Sequence, residues 1–237
     1  MGVAASIHIP THGIRRMRRI ARAVVAVLPL LASAAVAQQA PAAAPPPTRF
    51  FITSANPGNG ANLGGLDGGD AHCAALAGAA GLPSNQWRAY LSATPRNGQP
   101  GVNARDRIGA GPWHNAKGQL IAKNVDELHS ELPTLTKASI ITEKGDSVNG
   151  RGDRPNTHDI LTGSTRDGRF FSLADDTTCD NWTLDGETGS ARVGHHDRQG
   201  GGEFPTSWNS AHPSRGCGPK NLQASGGAGL FFCFGAS

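Results

Sequence analysis

Hydrophobic positions along this chain come in short bursts separated by long polar, Gly-rich stretches. The first burst follows a basic segment. Met1–Arg22 carries Arg15, Arg16, Arg18, Arg19 and Arg22, and Ala23–Ala35 is continuously apolar or small, running into Ala35-Val36-Ala37. A basic start, a short apolar run and an A-x-A site predict a secretory signal peptide over residues 1–37. The run falls short of the roughly 20 residues a spanning helix needs, so no stable membrane span is expected after cleavage. Gln38–Thr48 (QQAPAAAPPPT) is Pro/Ala-rich and predicts an extended linker over 38–48. Residues 49–237 are then one domain of a size that supports a sizeable core.

Within that domain the bursts predict alternating strands and short helices. Arg49–Ser54 (RFFITS) reads as a first strand. Asn56–Gly69 holds six glycines and ends Gly-Gly-Asp, without the Lys-Ser/Thr of a phosphate loop. It reads instead as a tight loop leading to Asp70 as a helix N-cap. Over 70–80, Cys73, Leu76, Ala77 and Ala80 share one helical face, with Gly81 and Pro83 as stop signals. Trp87–Ser92 (WRAYLS) alternates like a half-buried strand, with Trp87, Ala89 and Leu91 inward. Gly118–Ala122 predicts a short strand. Asn124–Leu132 predicts a second helix capped by Asn124, with Val125, Leu128 and Leu132 inward and Pro133 after it. Thr134–Thr142 (TLTKASIIT) is β-rich. Asp167-Gly168 predicts a turn before Arg169–Ser172.

Composition and charge alter this picture in two ways. With 32 glycines and only 5% aromatics, much of the domain is loop. The formal charge of +4 belongs to the leader: its five arginines come with no acid, leaving 17 basic against 18 acidic residues, or −1. Net charge therefore gives a nucleic-acid partner no support. Export together with four cysteines, Cys73, Cys179, Cys217 and Cys233, implies an oxidising compartment, periplasmic, secreted or at the cell surface, and two disulfides. Four cysteines alone allow three pairings.

The order of GGLDGGDAHCAALAGAAGL, WRAYLS, ARDRI, the helix around VDEL, ILTGSTRDGR, CDNWT and the terminal FFCF resembles the endostatin-like branch of the C-type-lectin-like fold, over roughly residues 50–235. Where many members carry Trp, this chain has Ile160-Leu161. The resemblance implies an α+β domain of two small, mostly antiparallel sheets, two helices and long loops. It also implies two nested disulfides, Cys73–Cys233 and Cys179–Cys217. It further implies an exported, non-catalytic binding module that recognises a glycan or an extracellular or envelope protein.

Candidate chemistry lies in the loop-rich half. The calcium triplets of sugar-binding C-type lectins are broken here: Asp180-Asn181 precedes Trp182, and Trp208-Asn209 is followed by Ser210. Recognition is therefore expected to be calcium-independent. Arg151, Asp153, Arg166, Arg169, His195, His196 and Arg198 are the candidate ligand contacts, including an Arg151-Gly152-Asp153 triplet whose plainer reading is a solvated turn. Asn103–Ile108 sets three charges in a row, read either as an anion patch or as an Arg–carboxylate network bracing a loop. His195, His196, Asp197 and His212 are the candidate metal ligands; no resident cofactor is expected, and zinc is the ion this set could take. The zinc-binding N-terminal histidines of collagen endostatins have no counterpart in the 38–48 linker. No G-x-S-x-G, H-E-x-x-H or isolated thiol is present, so no enzyme activity is expected. The alternatives are a metal-dependent hydrolase using His195, His196 and Asp197, or a structural envelope protein.

Overall fold

The computed structural model describes residues 46–83, 86–131, 134–172 and 175–236. The expected signal peptide and most of the linker lie outside the described residues, as do Leu132 and Pro133. The described residues form a mixed α+β fold. In chain order they run β1 (Phe50–Ile52), α1 (Gly65–Ala79), β2 (Gln86–Ala89), α2 (Ala104–Arg107), β3 (Trp113–His114), β4 (Leu120–Ala122) and α3 (Val125–Leu128). There follow β5 (Asp159–Leu161), α4 (Cys179–Trp182), β6 (Arg192–His195), β7 (His212–Pro213), α5 (Pro219–Ser225) and β8 (Gly227–Ala236). No helix among these residues is long and apolar enough to cross a membrane.

The last strand, β8, organises the larger sheet. It pairs antiparallel with β1 and with β2, both opposite Cys233, and parallel with β5; β6 and β7 continue outward from β5. β3 and β4 form a separate hairpin. The apolar runs FFI and LFFCF reflect burial on both faces of this sheet. Phe50, Ile52, Leu230, Phe232 and Phe234 face one core, with Trp113, Ile121, Leu128 and Trp208. Phe51, Phe231 and Cys233 face the other, under α1 and beside Trp182. Each fully buried phenylalanine contributes about 1.5–3 kcal/mol.

Both expected disulfides are present. Cys73–Cys233 ties α1 to β8 across 160 positions, and Cys179–Cys217 closes a loop of 38 inside it. Trp182 is fully buried beside the inner bridge, and its Nε1–H donates to Ser92 O at 2.8 Å. The turn that delivers it, Cys179–Trp182, is left-handed throughout, with φ of 48°, 54°, 52° and 70°. L-residues resist this conformation. Asn181 anchors the turn by accepting from Thr94 N and donating to Thr94 O.

Several expected elements shift. Helix α1 begins inside the Gly-rich stretch, at Gly65, so Asp70 is an interior residue rather than an N-cap. Its carboxylate instead accepts from Ala89 N and pairs with Arg88 and Arg107. The helix ends as expected: Gly81 has φ +67°, Leu82 N–H bonds Ala77 O, and Gly81 N–H bonds Gly78 O. Around β2 the alternation fails, because Tyr90 and Ser92 are as buried as Ala89 and Leu91. Thr134–Thr142 is not a strand. There Ser139 Oγ takes up Thr136 N, and Ile140 N bonds Thr136 O, so local turn bonds replace a ladder. Helix α5 carries no apolar period but has Pro219 at its first turn and Gly226 in the left-handed region at its end. The three-charge run is a bracing network: Arg105 pairs with Asp126, and Arg107 binds both oxygens of Asp70.

Candidate functional site

The sheet brings together residues that are remote in sequence. β5 and β6 are antiparallel with Asp159 opposite His195, and β6 pairs with β7 so that Val193 lies opposite His212. His158 and Asp159 thus enter β5 beside the end of β6 and the start of β7. Two glycines permit the close approach. A Cβ at Gly194 would lie 2.0 Å from Trp208 O, and one at Gly200 would lie 2.1 Å from the His195 ring, over which the 199–202 loop folds.

Three imidazoles converge on one carboxylate oxygen. His158, His195 and His212 place Nε2 at 3.2, 3.3 and 3.5 Å from Asp159 Oδ1. The His158 and His195 rings stack at 4.4 Å, and His212 meets His195 edge-on at 5.0 Å. Asp159 and His195 are buried at 2% and 0% exposure, His158 at 5%, and the His212 side chain is 21% exposed. The far side of each ring is engaged. His195 Nδ1–H donates to Pro205 O at 2.8 Å, His212 Nδ1–H to Pro213 O at 3.0 Å, and His158 Nδ1–H to Asp197 Oδ1 at 3.2 Å. Those acceptors place the ring proton on Nδ1, so a neutral ring presents a lone pair at Nε2. The Nε2···Oδ1 separations are within ion-pair reach, yet none has hydrogen-bond geometry. Both Asp159 oxygens and His195 Nε2 are buried without a hydrogen bond.

Electrostatics follow this geometry. Burial alone raises the Asp159 pKa, but the His195, His212 and His158 imidazoles outweigh it and hold the carboxyl below its ordinary value. Contact with Asp159 raises His212 against an opposing effect of burial. Asp197 is likewise held low: burial works against ionisation, and donation from His158, Arg151 N and Gln199 N overcomes it.

The predicted site residues are distributed unevenly. His195 and His212 join the cluster, whereas His196 does not. His196 lies in the turn that follows β6 and is buried away from the cluster, with Nε2–H donating to Asn149 O. Burial lowers its pKa. Asp197 returns toward the cluster but acts through His158, as its hydrogen-bond acceptor. Among the ligand candidates, Arg166 and Arg198 share Glu131, Arg169 pairs with Asp167, and Asp153 is held by Lys137 and Gly150 N. The Asp of the Arg-Gly-Asp triplet is therefore engaged internally. Arg151 uses only its backbone N–H, on Asp197.

A cleft of about 280 Å³ opens above the cluster, lined by His158, His195, His212, Gly200–Gly202, Arg151 and Arg215. Arg151 and Arg215 are exposed at its rim, and neither guanidinium bonds another described residue. Trp208 and Asn209, weighed against a calcium triplet, point inward. Trp208 packs on Tyr90 and Phe232, and Asn209 Nδ2–H donates to Tyr90 Oη and to the carbonyls of Thr165 and Arg166.

Sequence reasoning missed His158, Asp159 and Arg215. The available signal was a His-Asp pair directly preceding a buried strand, where charge has no reason to be without a partner. No known protein family matches the chain, and no curated protein is similar to it in sequence.

Proposed function

We propose that this chain is an exported, calcium-independent recognition module with the endostatin-like form of the C-type-lectin-like fold. It takes an anionic group of a glycan or extracellular protein in the cleft rimmed by Arg151 and Arg215. The observation that carries this reading is the pair of exposed guanidiniums at the rim of a concave site, left without partners among the described residues, while Arg166, Arg169, Arg192 and Arg198 of the loop half are neutralised locally. Planar guanidinium forks suit carboxylate, sulfate or phosphate groups. The two disulfides support an oxidising destination. The hydrolase alternative, built on His195 or His196 with Asp197, draws less support because His196 faces away from the cleft.

Glycan and matrix-protein arrays probed with the purified exported protein test the reading. Binding to acidic ligands that falls at least tenfold in the Arg151→Ala/Arg215→Ala variant is the expected result. Silence on both arrays, or binding unchanged in that variant, refutes it.

A further inference from the structure

We propose that His158, Asp159, His195 and His212 form a tetrahedral site for one divalent transition-metal ion, zinc foremost. This inference goes beyond the recognition reading and does not depend on it. It begins from an electrostatic misfit. Three Nε2 lone pairs lie 3.2–3.5 Å from one carboxylate oxygen, Asp159 Oδ1, in a place where Asp159 Oδ1, Asp159 Oδ2 and His195 Nε2 have no hydrogen bond. Acceptors that face acceptors in a buried site repel unless positive charge lies between them.

The carboxylate–imidazole spacing is that of a coordination shell. Zinc lies about 2.0–2.1 Å from imidazole nitrogen and about 2.0–2.2 Å from carboxylate oxygen. In a tetrahedron of that radius, neighbouring ligand atoms are about 3.3–3.4 Å apart. The three observed separations, 3.2, 3.3 and 3.5 Å, bracket that value. His158, Asp159 and His195 alone bring their donor atoms within 4.8 Å of one another. His212 Nε2 meets Asp159 Oδ1 at 3.5 Å but lies outside that 4.8 Å group, so it serves as the fourth donor by closing on the ion from the solvent side.

The outer partners match as well. Each ring donates its Nδ1–H to a carbonyl or carboxylate, which fixes the tautomer that presents Nε2 inward. Asp197, itself held by Arg151 N at 2.6 Å and Gln199 N at 3.1 Å, completes a carboxylate–histidine–metal relay. Three imidazoles and one carboxylate, with no carbonyl cage, disfavour calcium and magnesium. All four cysteines are in disulfides, so the donor set is compatible with an oxidising compartment. With His212 drawn in, four protein donors close the shell, which assigns the ion a structural role: it locks β5, β6 and the two-residue edge strand β7, and with them the loop that floors the cleft.

The test uses the purified exported protein, stripped with a chelator and then titrated with zinc, cobalt(II), calcium and magnesium in competition with a chromophoric chelator. One equivalent of zinc, an intense tetrahedral visible spectrum with cobalt(II), and no competition from calcium or magnesium are expected. Asp159→Asn and His195→Gln should abolish stoichiometric uptake, and Asp197→Asn should weaken it about 10–100-fold. His196→Gln, adjacent in sequence but outside the shell, should leave it unchanged. If the buried variants fail to fold, the partly exposed His212→Gln provides the same reading through weakened uptake and a loss of tetrahedral cobalt intensity. No stoichiometric uptake by the wild type, a preference for calcium, or His196→Gln matching the effect of His195→Gln would overturn the proposal.

Discussion

Gly163 offers a measurement of how tightly the inner disulfide region is packed. Its φ is +60°, and a Cβ placed there would lie 2.8 Å from Thr178 Cγ2, 2.8 Å from Trp182 Cζ2 and 3.3 Å from Ser92 O. Thr178 and Trp182 are themselves fully buried, so neither can retreat into solvent. Gly81 is the internal control: its φ is +67°, and an added Cβ meets nothing within 4 Å. Alanine at either position incurs the left-handed backbone penalty of about 1–2 kcal/mol. At Gly163 overpacking adds about 1–3 kcal/mol. Gly163→Ala should therefore be less stable than Gly81→Ala by about 1–3 kcal/mol, and melt roughly 2–12 °C lower, at about 2–4 °C per kcal/mol for a domain of this size. Urea unfolding of the oxidised proteins reads the difference directly. Adding Thr178→Ser removes the crowding methyl while keeping the hydroxyl, and should restore part of the loss as a positive coupling in a double-mutant cycle. Equal losses at the two glycines, or no coupling to Thr178, would show that Trp182 is not wedged in this way.

Three further outcomes follow from the fold. Replacing both cysteines of Cys73–Cys233 by alanine should cost about 5 kcal/mol in the chain-entropy treatment, against about 4 kcal/mol for Cys179–Cys217, given loops of 160 and 38 residues. Denaturant midpoints with unchanged outer-variant stability would contradict this. Asp70→Asn should cost about 3–5 kcal/mol by leaving Arg107, whose side chain is only 12% exposed, without its charge partner. Arg88→Ala, on the 40%-exposed partner of the same carboxylate, should cost under about 1 kcal/mol; the reverse order refutes the assignment. Burial lowers the His129 pKa below 6.5, aided by Arg105 and opposed by the Val125 carbonyl, Asp167 and Asp126. The unfolded chain then binds the extra proton first, so this residue's contribution is intact above pH 6.5 and is lost as pH falls toward the folded pKa. The stability slope between pH 7.5 and 5.5 should be shallower in His129→Gln, and an unchanged slope would exclude His129 as its source.

The legible parts of the fold were those where local pattern and burial agree. The FFI and FFCF runs read as strands because both faces of the central sheet are covered, and the face Cys73–Leu76–Ala77–Ala80 read as helix because one side packs on that sheet. The start of α1 did not, because Gly64 enters it with φ +77° and no side-chain cap. Thr134–Thr142 misled because β-branched residues also suit a turn when a serine takes up the backbone N–H groups. The site was half legible. His195 and His212 were visible as candidates, but His158 reaches them only through the register that sets Asp159 opposite His195, and register is a property of the folded sheet. His196 looked equivalent to His195 until the turn at the end of β6 separated them.

The position of β8 has a consequence for how the molecule comes into being. It is the common partner of β1, β2 and β5, yet it is made of residues 227–236, which a ribosome supplies after every other described element. Until they arrive, three strands lack a neighbour and Cys73 lacks the thiol it must meet. Closure of the sheet therefore waits until residues 227–236 have emerged, and that assembly, dominated by contacts remote in sequence, proceeds slowly. Delayed closure of that kind keeps a polypeptide threadable through a narrow pore.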